Sequence, residues 1–146
     1  VEIYAKRQNR FVAGFIGSPS MNFIPVTLRD GSGALFAEAA GLKIKVPDAS
    51  RQGLMPYKGQ TVTLGVRPED LRVGASGDSA DFSFEAVVEV VEPLGSEILL
   101  NTNAAGQQIA ARVEPMVRTR PHEKIRLTLV PERIHFFDAK TEAVIK

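Results

Sequence analysis

The stretch VTLGVRPEDL, residues 62–71, decides the fold, because IRLTLVPERI, residues 125–134, repeats its pattern at a constant offset of 63. Val62, Leu64 and Val66, and likewise Ile125, Leu127 and Leu129, fall at every second position, which places them on one face of a strand. Each copy then reaches Pro-Glu. Pro68 and Pro131 end their strands by removing a hydrogen-bond donor. Glu69 and Glu132 sit where a carboxylate can accept from turn amides. Leu71 and Ile134 then open a new strand. Two copies of one half-barrel unit fit a mainly β, OB-like barrel or sandwich with an internal repeat.

Other strand candidates lie on either side. Residues 23–28 lead into Asp30-Gly31-Ser32-Gly33, a hairpin turn of residues that tolerate positive φ. Residues 34–39 and 42–46 follow, with Leu42, Ile44 and Val46 inward and Lys43 and Lys45 outward. A loop rich in breakers is expected over 47–59, and a polar, mobile loop over 74–81. The longest strand begins at Phe82 and places Phe84, Ala86, Val88 and Val90 on one face. Residues 98–101, 107–114, 124–130 and 134–137 complete the set, at the spacing of a small barrel.

The composition fits this reading. The chain has 146 residues, 44% of them apolar, with nine prolines and twelve glycines, enough for one real core. Eighteen basic residues stand against seventeen acidic ones, so nothing points to a polyanion or a charged membrane surface as partner. Cysteine is absent, which excludes disulfides and thiol chemistry. No apolar run approaches the roughly 20 residues of a membrane-spanning helix, and no signal peptide is expected.

The chain opens differently. NRFVAGFIGSPSMNF, residues 9–23, is dense in apolar side chains. Phe11, Val12, Phe15 and Ile16 share one face of a helix of about two turns, capped by Asn9 and stopped at Gly17-Ser18-Pro19. So short a helix is unstable alone in water and must dock on something. Val1 is not a methionine, though an initiator Met before Val can be trimmed; together with the junction helix, it makes an excised fragment the expectation.

These residues carry a resemblance. FVAGFIGSP followed by MNF resembles the junction, in the ATP-binding subunits of maltose-type and glycerol-phosphate-type ABC importers, between the nucleotide-binding domain and a C-terminal regulatory domain. Glu2-Ile3-Tyr4 resembles the last residues before that junction. GVRPEDL at 65–71, VEPLGSEILL at 91–100 and HFFDAKT at 135–141 match in the same order. Lys6-Arg7-Gln8 departs from the family, which usually has a proline shortly before the Asn. The resemblance implies an OB-like regulatory domain over residues 21–146, preceded at 1–20 by a junction segment from a missing nucleotide-binding domain.

No catalytic constellation stands in the sequence. Residues 53–59, GLMPYKG, have Lys and the second Gly in the wrong order for a phosphate-binding loop, Pro56 removes an amide, and no Ser or Thr follows for magnesium. Residues 74–77, GASG, are not a nucleophile elbow. His122 reads as solvated and His135 as a surface or core-edge residue, with no metal-ligand spacing. Arg118, Arg120, Lys124 and Arg126 form a local basic patch, but the chain has no Trp and only two Tyr, so the stacking platform of a single-strand binder is missing.

The resemblance therefore implies a partner-binding role with no cofactor of its own, ATP and magnesium belonging to the missing domain. The expected partners are a second copy in a homodimer, that nucleotide-binding domain, the membrane-spanning importer subunits through it, and a cytoplasmic regulator. The expected place is the cytoplasmic face of the bacterial plasma membrane, and no nucleic acid is expected. Phe11, Phe15 and Ile16 are expected to dock on the barrel or on the missing domain, or to pack within the chain. Met21, Asn22 and Phe23 start the first strand. Arg67 and Glu69 flank Pro68 as a partner contact or a local structural pair, and Pro93, Leu94 and Gly95 form a rigid, partly apolar turn suited to a dimer surface. The alternative is a stand-alone barrel binding a small anion or single-stranded nucleic acid.

Overall fold

The computed structural model describes residues 20–74 and 77–146; the helix expected over residues 9–16 lies outside them. Ten strands follow in order: β1 (Asn22–Gly31), β2 (Ala34–Ala39), β3 (Leu42–Lys45), β4 (Thr61–Val66), β5 (Leu71–Val73), β6 (Ser83–Pro93), β7 (Ile98–Ala104), β8 (Gln107–Val113), β9 (Lys124–Leu129) and β10 (His135–Asp138). They form two five-stranded antiparallel sheets, ordered β10-β4-β1-β2-β3 and β5-β9-β6-β7-β8.

That order confirms the repeat as a duplication with exchanged ends. Each sheet takes four strands from one half of the chain and its last strand from the other. β5 leaves the first half to pair with β9, and β10 leaves the second to pair with β4. The registers agree as well. Arg72 faces Thr128 in one junction, and His135 faces Gly65 in the other, which is the same pairing with the 63-residue offset applied to each member. The two Pro-Glu turns, Pro68–Asp70 and Pro131–Arg133, are short 3-10 helices that carry the crossovers.

The inner faces meet in one core. Ile24, Leu28 and Leu64 come from the first sheet, and Phe84, Leu100 and Leu127 from the second, with Phe136 on the exchanged strand; all are buried. The β1–β2 turn has Ser32 at φ 51° and Gly33 at φ 78°, the paired positive values of a type I′ hairpin. Thr102, fully buried on β7, donates its hydroxyl to the Ile109 carbonyl at 2.8 Å. Asn22 ties the sheets together. Its side-chain amide donates to the Ala110 carbonyl at 2.8 Å and accepts from the Ala110 amide at 2.9 Å. A β1 side chain thus pairs with the outer edge of β8 as another strand would.

Three expectations fail, each for a local reason. Residues 47–59 are not a loop: α1 (Asp48–Leu54) and a 3-10 turn (Met55–Tyr57) occupy most of them. The prolines precede or open these helices instead of interrupting them, and Leu54 buries itself in the core. Gly53 is needed for space, because a Cβ there would lie 2.2 Å from the Lys146 carbonyl oxygen. The loop expected over 74–81 gives way, from Gly77 on, to a further 3-10 helix, Gly77–Phe82, with half-buried Phe82 packed against the core. Val90 does not share the inward face of Phe84, Ala86 and Val88. A bulge between Val88 and Val90 shifts the register, and Val90 is left 49% exposed because one extra residue reverses the alternation beyond it.

Replacing Asn22 with Ala should destabilise the domain by about 2 kcal/mol, since it leaves the Ala110 donor and acceptor unpaired. Urea unfolding, read as a shift in midpoint at constant slope, checks this.

Candidate interaction surfaces

The β6–β7 hairpin projects through a tight turn. The Leu94 amide donates to the Glu97 carbonyl at 2.8 Å, and Gly95 takes φ 79°, a left-handed value that favours glycine. An ion pair between Glu97 and Arg112 of β8 braces the hairpin from the side. Pro93, Leu94 and Gly95 are all exposed, Leu94 at 39%. The structure therefore brings these three candidates together on a rigid tip. Met116, 83% exposed in the β8–β9 connection, was not singled out from the sequence. An isolated Met between Pro115 and Val117 gives no periodic signal.

Arg67, Pro68 and Glu69 form the first crossover. Pro68 is buried, Arg67 half-buried and Glu69 exposed. No side-chain hydrogen bond caps the turn, and among the described residues no ion pair joins Arg67 to Glu69. The Arg72 guanidinium holds the turn instead, donating to the Glu69 carbonyl at 2.6 Å and the Leu71 carbonyl at 3.2 Å. The second crossover runs alongside, with the Val130 amide donating to the Asp70 carbonyl at 3.1 Å. His135 lies in this region. Burial lowers its pKa, the Arg67 and Arg133 guanidiniums lower it further, and Asp70 opposes them.

Met21, Asn22 and Phe23 stand at the entry to β1. Asn22 closes the barrel as described. Met21 is buried, and half-buried Phe23 meets Phe137 edge-on, ring centroids 5.8 Å apart. Phe11, Phe15 and Ile16 lie outside the described residues.

A cleft beside each crossover repeats the duplication: Glu69 and Leu71 line one, and Glu132 and Ile134 line the other. The first adds Arg72 and Arg112 but also Glu97 and Glu114, with Arg112 already paired to Glu97. The second adds Lys45 against Asp48 and Asp81. Carboxylates outnumber cations in both, an environment that disfavours a bound anion. Of the basic patch, Arg126 is engaged, donating to the Ser83 hydroxyl at 2.9 Å. Among the described residues no group of three His, Cys, Asp or Glu side chains is placed to hold a metal ion, and no helix is long and apolar enough to cross a membrane.

Comparison with known proteins follows the duplication. The family model of the MalK OB fold domain matches residues 17–71, and that of the TOBE domain matches residues 64–137. The two overlap at the first crossover. The chain is 39% identical over 99% of its length to the multiple sugar-binding transport ATP-binding protein MsmK of Streptococcus mutans, covering 39% of that protein. It is 34% identical to the sulfoquinovosyl glycerol transport ATP-binding protein SmoE of Agrobacterium fabrum, over 99% of this chain and 38% of that one. With the alpha-glucoside transport ATP-binding protein AglK of Rhizobium meliloti the identity is 35%, over 98% and 39%. The chain thus spans about two fifths of the length of these relatives. Among solved structures, the cytoplasmic molybdate-binding protein ModG shares the fold, with TM-score 0.57 over 80% of this chain and 94% of that one, at 14% identity.

The lowered pKa of His135 sets a sign for pH dependence. Below about pH 6.5 the unfolded chain takes up a proton that the folded chain resists. Stability is therefore full above 6.5 and falls as pH drops toward the lower folded pKa. His135→Gln should flatten that slope, measured as thermal midpoint against pH from 7.5 to 5.

Proposed function

We propose, of a chain that belongs to the TOBE domain family and carries a MalK OB fold region ahead of it, that it is the C-terminal regulatory domain of an ABC importer's ATP-binding subunit. The observation that carries this reading is its match, over nearly its whole length, to two fifths of sugar-transport ATP-binding proteins. The cargo class is carbohydrate or glycerol phosphate. ATP binding, magnesium and hydrolysis belong to the nucleotide-binding part of the parent protein. The complex works at the cytoplasmic face of the membrane through its spanning subunits.

The domain's task is to pair with a second copy and hold two ATPase subunits together while their nucleotide domains open and close. Tethering makes each closure intramolecular, so no cycle waits for fresh association. A cytoplasmic regulator that docks here slows transport only insofar as it binds the open state better than the closed one. Arg67 and Glu69, beside a buried proline on the crossover, are the polar contacts offered to such a partner. The hairpin tip Pro93-Leu94-Gly95 is the pairing surface, because it presents an exposed leucine on a braced turn. An oxyanion ligand of the kind ModG is named for is disfavoured by the acidic lining of both clefts.

Leu94→Asp should convert a dimer to a monomer in sedimentation equilibrium without lowering the thermal midpoint. Unchanged sedimentation removes the hairpin as the pairing surface. Deleting this domain from the complete ATP-binding subunit should leave ATP binding intact and make nucleotide-domain association concentration-dependent; retained tight association would sink the tethering role.

A further inference from the structure

We infer, resting on the reading that this domain pairs with a second copy, that the two-fold axis of the pair runs through the β8–β9 connection. Met116 packs on its own counterpart there, and Glu114 and Arg118 pair crosswise between the copies. Met116 is 83% exposed, the most open of the large apolar side chains among the described residues. A single exposed apolar residue needs no explanation. The setting of this one does.

Met116 is held at the apex of a built turn. The Val117 amide donates to the Glu114 carbonyl at 3.0 Å, which closes a β-turn with Pro115 and Met116 as its central residues. Pro115 fixes φ on the approach, and half-buried Val117 packs against the core on the far side. Leu94 opens at the same end of the second sheet. Pro93 pairs with Ile98 and Ile98 with Val113, so the hairpin tip and the Met116 turn both begin from one row of strand ends.

The duplication supplies an internal control. β3 is the counterpart of β8: Thr27 faces Glu38 and Glu38 faces Lys43, as Val87 faces Asn103 and Asn103 faces Gln108. The chain that leaves β3 forms α1 and buries Leu54 in the core. The chain that leaves β8 turns its apolar side chain outward instead. The hairpin tips differ in the same sense, since Gly31-Ser32-Gly33 of the β1–β2 turn has no large apolar side chain where the β6–β7 turn has Leu94. The fold therefore does not require these two apolar positions to be open, and only the second half opens them.

Charge selects the occupant. Glu114 stands two residues before Met116 and Arg118 two residues after it, both exposed. Neither belongs to an ion pair among the described residues, and the neighbouring Arg112 is engaged with Glu97. In a two-fold contact, residue i of one copy meets residue j of the other, and j meets i. With the axis through Met116, each Glu114 faces the Arg118 of the other copy, and two pairs form at once. A second copy carries this complement by construction, whereas an unrelated partner must match both signs at that spacing. Exposed ion pairs add little affinity each, so their part is to fix the approach. Met116 and Leu94 supply the apolar burial, methionine being enriched in interface cores.

Sedimentation equilibrium of the 146-residue chain with reciprocal charge variants tests the axis. Glu114→Arg leaves two cations beside Met116 and Arg118→Glu leaves two carboxylates. Each variant alone should therefore dimerise about tenfold more weakly than the unaltered chain. Mixed in equal amounts, the two should form a heterodimer within about threefold of the unaltered affinity, because both crossed pairs return. Met116→Asp should weaken pairing as much and leave the thermal midpoint unchanged, since the side chain it replaces is exposed. Charge variants that dimerise normally, or a mixture no tighter than its components, would overturn the inference. If Leu94→Asp then still yields monomers, pairing through the hairpin stands and this axis alone fails. A chain that stays monomeric at every concentration sinks the pairing reading itself, and this axis with it.

Discussion

The exchange of last strands between the two halves is the constraint on which the rest of this structure depends. β5 has its ladder on β9, and β10 has its ladder on β4, so neither sheet is finished by its own half. A short strand such as β5, three residues long, has too few hydrogen bonds to stand alone. Its pairing holds because Leu71 is buried in the shared core at the same time. Unfolding one half must therefore strip a strand from the other. The two crossovers run side by side for the same reason, and the buried Pro68, the pair of clefts and the His135 environment all follow from that proximity.

The parts governed by local spacing were legible in the sequence. The 62–71 and 125–134 copies gave alternation, strand end and restart, and the hairpin glycines marked turns that the structure contains. What the sequence hid were effects of parts distant in the chain. Residues 47–59 read as a loop because Pro47, Gly53, Pro56 and Gly59 look like breakers one at a time. The helix is possible because Leu54 finds the core and because Gly53 admits the backbone of Lys146, contacts that no short window contains. The bulge that turns Val90 outward has no compositional mark, since all of its neighbours suit a strand. Asn22 was placed at the start of β1, but its bidentate grip on Ala110 spans 88 residues of sequence.

The candidate surfaces divide in the same way. Pro93-Leu94-Gly95 was readable because a turn is local chemistry, and the ion pair from Arg112 that braces it was not. The position of Arg67 and Glu69 at the turn was readable, but not the holding contact, which comes from the Arg72 guanidinium. The edge-on contact of Phe23 with Phe137 was the least legible feature. The two sit on separate strands, and each alone passes for an ordinary strand residue.

On the proposed reading, a duplicated barrel suits a tether because its two halves can differ without losing each other. Each half keeps the inward positions that make the common core, so substitutions there are coupled through packing. Outward positions lie outside that common core, and the halves differ there: Phe23 stands against Ser83 and Gly65 against Thr128. A loosely joined pair of domains would absorb the displacement of a nucleotide domain in its linker. Strand exchange removes that slack, because moving one half carries the last strand of the other. On the proposed reading, it is this rigidity that allows a regulator's differential affinity at the barrel to be felt by the ATPase, since coupling between sites needs an element that moves as a unit.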